Sequence, residues 1–433
     1  MDKIINLIKK EERAQEETLT LIPSENYSSK AVRRAVGSKL ANKYSEGYPG
    51  KRYYQGNILI DEIEDLAIER AKKLFGVEHA NVQPYSGSPA NSAVLFALLS
   101  CGEKMLGMNL SSGGHLTHGH PKITFSGKYF HSVQFGLSRK GEIDYQAVKE
   151  LVMKEKPKLL LIGTTAYPLI IDWEKFSKIA REVGAYFVAD ISHLSGLIVA
   201  GVYPSPVSFA DLITTTTHKT LRGPRGAMIL VTKKGLKKDP KLGSKINRAV
   251  FPGLQGGPHD NTTAAIAVCL AEAFRPSFKK YGKAVVENAK VLAEELKKGG
   301  FELVCGGTES HLMVIDLRKQ GLCGEIVAEA LEVAGLMVNS NSVPGEKGPF
   351  YYSSGVRLGT PALTTRGMGR KEAKKIAGWI LRVIDHVQDE KLPEGKAERV
   401  SFLREYKKKI KNDVFLRRIA QEVKVFCKQF PTP

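Results

Sequence analysis

The amino-acid sequence predicts an α/β protein, with a large domain built on a mainly parallel sheet and a smaller α+β domain after it. Three observations predict this. Short, wholly apolar runs alternate with amphipathic stretches of helical length through the middle of the chain. A long helical stretch at 262–299, broken near Pro276, then carries the chain away from that rhythm. At 433 residues the protein exceeds what one hydrophobic core usually organises.

The elements follow in order. The first ten residues read as an amphipathic helix with Ile4, Ile5, Leu7 and Ile8 on one side. They lack the apolar core and cleavage site of a signal peptide. Residues 1–60 are polar and rich in turn formers, and form an N-terminal arm. From Asp61, the residues Ile63, Leu66, Ala67, Ala71, Leu74 and Phe75 recur at helical spacing and stop at Gly76. Strands are expected at 159–162 and 186–189, joined by a helix at 173–183 that Gly184 closes, then at 212–213 and 228–231. The large domain therefore spans 61–275 and the small one 276–433. The small domain has strands at 303–305 and 312–316 and helices at 325–334 and 371–387. Segment 391–413, with eight Lys/Arg against four Asp/Glu, reads as an insertion before the last helix.

Composition narrows the class. Hydrophobic residues at 42% and charged residues at 25% are ordinary for a soluble globular protein, and no apolar run is long enough to span a membrane. Five scattered cysteines without a CxxC suit free thiols in a reducing cytoplasm, and leave no zinc or disulfide framework. The net charge of +20 is open to two readings, a plain Lys-rich surface or an attraction for nucleic acid, anionic membrane or acidic metabolites. No recognisable RNA- or DNA-binding module accompanies it.

The densest chemical cluster is TTTTHKTLRGPRG at 214–226. Threonines at a strand end can offer hydroxyls to a phosphate, and the Gly/Pro turn lets backbone approach a ligand. Lys219 in such a setting suits Schiff-base chemistry with an aldehyde, although a lysine beside Thr and Gly is more often a surface turn or a phosphate contact. Asp190 ends the apolar run at 186–189, 29 residues earlier. Asp favours helix caps, but a carboxylate at one strand end and a lysine near another also meet the needs of pyridoxal phosphate (PLP), whose ring nitrogen requires an anionic partner.

The lysine run resembles that of serine hydroxymethyltransferases. So do SENY at 24–27, NKYSEGYPGKRYY at 42–54, NVQPYSGS at 81–88, GMNL at 107–110, GGHLTHG at 113–119, FPGLQGGP at 251–258 and RLGTP at 357–361, all in family order. The resemblance covers most of the chain and implies the PLP-dependent transferase fold of the aspartate aminotransferase type. It implies transfer of a one-carbon unit from serine to tetrahydrofolate or a modified pterin, with glycine as the other product.

It also implies roles. Lys219 would hold PLP covalently, Asp190 would pair with the ring nitrogen, and His115 would stack on the ring. Thr165 and His193 would lie near the phenolic oxygen. Ser86, Gly87, Ser88 and His218 would hold the phosphate, helped by the amides of a helix that starts after Ser88. Arg357, assisted by Ser24, would grip the amino-acid carboxylate. Glu46 would handle the proton at the hydroxymethyl group, flanked by Tyr44 and Tyr54, and Thr216 would help select the reaction. Leu110, Gly114, Leu116 and Asn341 would line the pterin site under Gly348, Pro349 and Phe350. The family implies a homodimer in which Tyr44, Glu46, Tyr54, Gly256 and Gly257 serve the partner's Lys219. The sequence departs from the family pattern at Thr165, Pro168, Tyr85, Leu254 and the loop 343–350. A PLP aldolase that splits 3-hydroxy amino acids without pterin is the competing enzyme class.

Overall fold

The computed structural model describes residues 2–346 and 352–433. The expected Gly348, Pro349 and Phe350 lie outside the described residues.

The chain forms two compact units. The larger holds Ser28–Ser138 and Ile143–Lys283. Its sheet has seven strands, here β1 (His79–Asn81), β2 (Lys104–Met108), β3 (His131–Phe135), β4 (Leu159–Gly163), β5 (Tyr186–Asp190), β6 (Leu212–Thr216) and β7 (Ala227–Val231), in the order β1-β7-β6-β5-β4-β2-β3. The pairs among β2 to β6 are parallel, whereas β7 runs antiparallel to both β6 and β1. Each residue of β4, β6 and β7 is buried, so their sequences are continuous apolar or threonine runs without alternation.

Helix stops follow glycine chemistry. Helix Ile58–Phe75 ends at Gly76, whose φ of +68° only glycine adopts cheaply. Asp172 caps the helix Trp173–Glu182 by accepting from the Lys175 amide at 3.0 Å. The helical stretch expected at 262–299 is two helices, Asp260–Ala273 and Pro276–Lys298, with proline at the start of the second.

The smaller unit comprises Met1–Tyr27, Arg139–Glu142 and Ala284–Pro433. Residues 1–60, expected as one arm, are thus divided between the units. Leu19 and Thr20 pair in parallel with Leu336 and Met337, which ties the N-terminal segment to this unit. Its main sheet contains β8 (Glu302–Leu303), β9 (Leu312–Asp316), β10 (Asn339–Asn341) and β11 (Gly355–Gly359), in the antiparallel order β8-β9-β11-β10. The strand expected at 303–305 is cut short after Leu303, where Cys305 takes a φ of +59° in a turn. Leu292, Leu296, Ile326, Trp379 and Ile380 centre the core of this unit.

Segment 391–413 is largely the helix Lys396–Ile410. Tyr406 and Ile410 bury into the small-unit core, and the Tyr406 hydroxyl donates to the Ile326 carbonyl at 3.1 Å. Lys407 pairs with Glu325 and Glu329, and Lys409 with Glu390, so part of this segment's charge is balanced within the fold. No helix among the described residues is long and apolar enough to cross a membrane.

Candidate active site

Parallel strands deliver their carboxyl ends to one edge of the sheet, and that edge carries the chemistry. Asp190 ends β5, Thr164 and Thr165 follow β4, His115 and His118 follow β2, and Lys219 follows β6. Helix Gly87–Leu98 brings Gly87 and Asn91 to the same place. Together these residues line one small cavity with Ser192, His193 and Thr216.

Asp190 is the anionic centre. His118 Nε2 lies 3.1 Å from its Oδ2, Asn91 Nδ2 donates to Oδ2 at 2.8 Å, and the Ser192 amide donates to Oδ1 at 3.0 Å. Burial alone would raise this carboxyl's pKa. The hydrogen bonds, together with the charge of His118, outweigh burial and hold it far below the usual carboxylate range. Gly163 permits the approach, because a Cβ there would stand 2.4 Å from the Asp190 carbonyl oxygen.

The histidines behave differently. Burial first, then the neighbouring charges of His118 and Lys219, push His115 down to about 4 against the pull of Asp190. Its Nδ1 is 2.7 Å from Thr117 Oγ1. Burial, with Lys219 and Arg225 nearby, pushes His218 down to about 3. Both rings are therefore neutral at neutral pH.

The threonine run serves the fold before any phosphate. Thr214 donates to Asn91 Oδ1, Thr215 to the Thr216 carbonyl, Thr216 to the Ser192 carbonyl and Thr217 to the Pro224 carbonyl. Four hydroxyl donors are thus spent inside the protein, which corrects the expectation that the run offers them to a phosphate. Of the four, only Thr216 lines the cavity.

The cavity suits a phosphorylated pyridine aldehyde. Asp190 is an ionised carboxylate in a small, sheltered space, which matches a protonated ring nitrogen. Ser86 occupies the N-cap of helix Gly87–Leu98 in an extended conformation, yet its side chain makes no capping bond. The first-turn amides thus have no side-chain cap there, which suits an anion. The helix starts at Gly87, so Ser86, Gly87 and Ser88 form its cap and first turn and do not precede it. His218 Nδ1, beside Lys219 in sequence, is buried with no hydrogen-bond partner among the described residues. A Cβ on Gly87 would stand 2.7 Å from Thr216 Cγ2, so glycine keeps this corner open.

Of the residues expected from the sequence, Gly87, His115, Thr165, Asp190, His193, Thr216 and Lys219 meet in this cavity. Ser86, Ser88, His218, Leu110, Gly114 and Leu116 belong to the same unit but do not line it. Asn91, His118, Thr164 and Ser192 line it without having been expected. His118 was within reach, being the second histidine of GGHLTHG. Asn91 lies one helical turn beyond Gly87, on the same face.

A second cluster lies in the same unit. Tyr44 and Tyr54 meet edge to face at 5.0 Å, and the Tyr44 ring lies about 3.4 Å from the place of a Gly257 Cβ. Glu46 Oε1 is 3.1 Å from the place of a Gly256 Cβ. The charge of Glu46 raises the Tyr44 pKa. Arg52 fixes the backbone on both sides of Glu46, donating to the Ser45 and Gly47 carbonyls at 2.8 and 3.0 Å. Arg52 is itself paired with Glu64 at 2.6 Å and Asp61 at 2.8 Å. None of Tyr44, Glu46, Tyr54, Gly256 and Gly257 lines the cavity around Lys219.

Ser24, Asn341 and Arg357 belong to the smaller unit. Arg357 sits on β11, where Nε donates to Asn339 Oδ1 at 3.0 Å. Burial pushes its pKa down to about 10, which leaves it a cation at neutral pH. The Gly359 amide donates to the Leu21 carbonyl at 2.7 Å, so the segment leading to Ser24 runs beside the end of β11.

Residues 1–380 match the family model described as serine hydroxymethyltransferase. The chain is 53% identical over 431 residues to the serine hydroxymethyltransferase of Acidothermus cellulolyticus, covering 99% of this chain and 95% of that protein. It is 50% identical over 431 residues to the enzyme of that name from Desulfotalea psychrophila, covering 100% and 94%. Against the one from a Psychrobacter species it is 52% identical over 383 residues, covering 88% and 90%.

Proposed function

We propose, from the premise that the chain belongs to the serine hydroxymethyltransferase family, a division of labour among its residues. The activity is reversible transfer of the serine hydroxymethyl group to tetrahydrofolate, giving glycine and methylenetetrahydrofolate. PLP, when bound, supplies the electron sink for negative charge developing on the amino acid.

Lys219 holds PLP covalently, and Asp190 keeps a proton on the ring nitrogen by remaining ionised. His115, a neutral ring lining the same cavity, would pack against the cofactor without adding charge. Thr165 and His193 would contact the phenolic oxygen, while Ser86, Gly87, Ser88 and His218 would hold the phosphate. Arg357 and Ser24 bind the substrate carboxylate. Glu46, beside Tyr44, moves the proton of the hydroxymethyl group with Tyr54 in support, and Thr216 helps select the reaction. Leu110, Gly114, Leu116 and Asn341 are assigned to recognition of the acceptor.

The single observation that carries this reading is the Asp190 carboxylate, held by His118, Asn91 and the Ser192 amide in the cavity that Lys219 also lines. Borohydride reduction of the holoenzyme, followed by peptide mapping, should fix the cofactor on Lys219; a label on another lysine would overturn it. Serine cleavage should accelerate on adding tetrahydrofolate, and comparison with modified pterins identifies the acceptor. Cleavage indifferent to any pterin would instead indicate the aldolase.

The working form is a homodimer whose two active sites are shared. In its support, the Tyr44–Glu46–Gly257 cluster lies outside the Lys219 cavity, and Tyr53, Ile58 and Leu59 next to it in sequence are each at least 70% exposed. Large apolar side chains left open in this way suit a self-complementary interface. The five cysteines are free thiols, in keeping with a cytoplasmic protein.

A further inference from the structure

We infer that Asn339 is a positioning residue for this reaction, setting the plane in which the Arg357 guanidinium meets the substrate carboxylate. The inference rests on Arg357 being the carboxylate grip.

Asn339 and Arg357 are direct cross-strand partners of β10 and β11. That register fixes the separation of their backbones. Arg357 Nε donates to Asn339 Oδ1 at 3.0 Å. The Asn339 amide is itself oriented, because its Nδ2 donates to the Ser340 carbonyl at 2.8 Å. The reversed amide would turn an NH₂ group toward a guanidinium that can only donate, so the carbonyl oxygen belongs on the arginine side. A guanidinium anchored at Nε has a defined plane, and a two-pronged carboxylate contact depends on that plane.

The residue type matters as much as the place. An amide oxygen orients the guanidinium without neutralising it. Aspartate at the same position would supply an acceptor of the same shape but would also satisfy the charge.

The strand that carries Asn339 is braced from its other face. Ser340 Oγ donates to Glu325 Oε2 at 3.2 Å, and Glu325 Oε1 pairs with Lys407 at 3.2 Å. Helix Lys396–Ile410 therefore helps to hold β10, and with it the acceptor atom of Asn339.

The test is calorimetric titration of holoenzyme with glycine and with glycinamide, which lacks the carboxylate. Wild type should prefer glycine. Asn339→Ala should weaken glycine about 10- to 100-fold, the range for a hydrogen bond to a charged group, and leave glycinamide unchanged. Serine KM should rise by a similar factor, with kcat changed less than about threefold. The isosteric Asn339→Asp should fold as wild type and weaken glycine at least as much, since its carboxylate competes with the ligand. If Asn339→Ala weakens glycine and glycinamide alike, the residue is merely structural and the inference fails. Glycine affinity retained in Asn339→Asp also overturns it. Arg357→Lys separates the two levels. If Arg357→Lys leaves glycine affinity intact, the carboxylate grip itself is misassigned. If Arg357→Lys weakens glycine while Asn339→Ala does not, only the role of Asn339 is lost.

Discussion

His118 Nε2 lies 3.1 Å from Asp190 Oδ2, and both side chains are almost sealed from solvent. Asn91 shares the same carboxylate oxygen, leaving Oδ1 to the Ser192 amide. The charge of Asp190 is thus held by groups on three separate elements.

His118→Leu removes one of these hydrogen-bond partners. The Asp190 pKa should rise toward the ordinary range, and PLP affinity should fall about 10- to 100-fold, as for loss of a hydrogen bond to an ion. Equilibrium dialysis against PLP measures it. Unchanged affinity would show that Asn91 and Ser192 suffice.

Acid should destabilise the apoprotein in two stages. His115 and His218 are neutral when folded, with pKa values pushed down to about 4 and about 3, so the unfolded chain takes up their protons first. Stability should therefore fall as pH drops from about 6.5 toward 4. Asp190 has the depressed pKa of a paired carboxylate. Its contribution is full above about pH 4 and is lost as pH falls toward the folded value. Urea unfolding of wild type and His115→Phe at pH 7 and pH 4 should differ in pH dependence by on the order of 1–3 kcal/mol. Parallel curves would refute the neutral, buried His115.

Gly87→Ala places a methyl group 2.7 Å from Thr216 Cγ2, at the corner proposed for the phosphate. Overpacking of this kind costs about 1–3 kcal/mol, and PLP affinity should drop about tenfold or more. Gly378→Ala is the control: it lies inside helix Arg370–His386 with nothing within 4 Å of the new atom. That change should stabilise the protein by about 0.5–1 kcal/mol and leave PLP binding alone.

On the proposed dimer with shared sites, Lys219→Ala and Glu46→Gln should each be inactive in hydroxymethyl transfer. Co-expressed with different tags, they should yield hybrids with one doubly lesioned site and one intact site. The isolated hybrid should recover about half of wild-type activity, following the symmetry of shared sites. A hybrid as dead as its parents would place Glu46 and Lys219 in service of the same chain's site.

Much of this was legible in the sequence, for identifiable reasons. The central strands are almost wholly buried, so they appear as largely apolar runs, and Asp190 stands out as the charge that ends one of them. Lys219 was marked by the turn chemistry after it. The less legible residues are those whose role is to support others. Asn91 reads as an ordinary helix residue until folding brings it to Asp190, Thr117 and Thr214 together. The threonine run was over-read because sequence shows hydroxyls but not where they already donate. The direction of β7 was also hidden, since an apolar run reads the same whether parallel or antiparallel.

The separation of the Tyr44–Glu46–Tyr54 cluster from the cavity around Lys219 has a kinetic corollary. If each site borrows that cluster from a neighbour, turnover per chain is subject to mass action. Diluting the protein below its dissociation constant should then depress specific activity, although every molecule stays folded. An excess of inert Lys219→Ala chain, able to lend its own Glu46, should restore it.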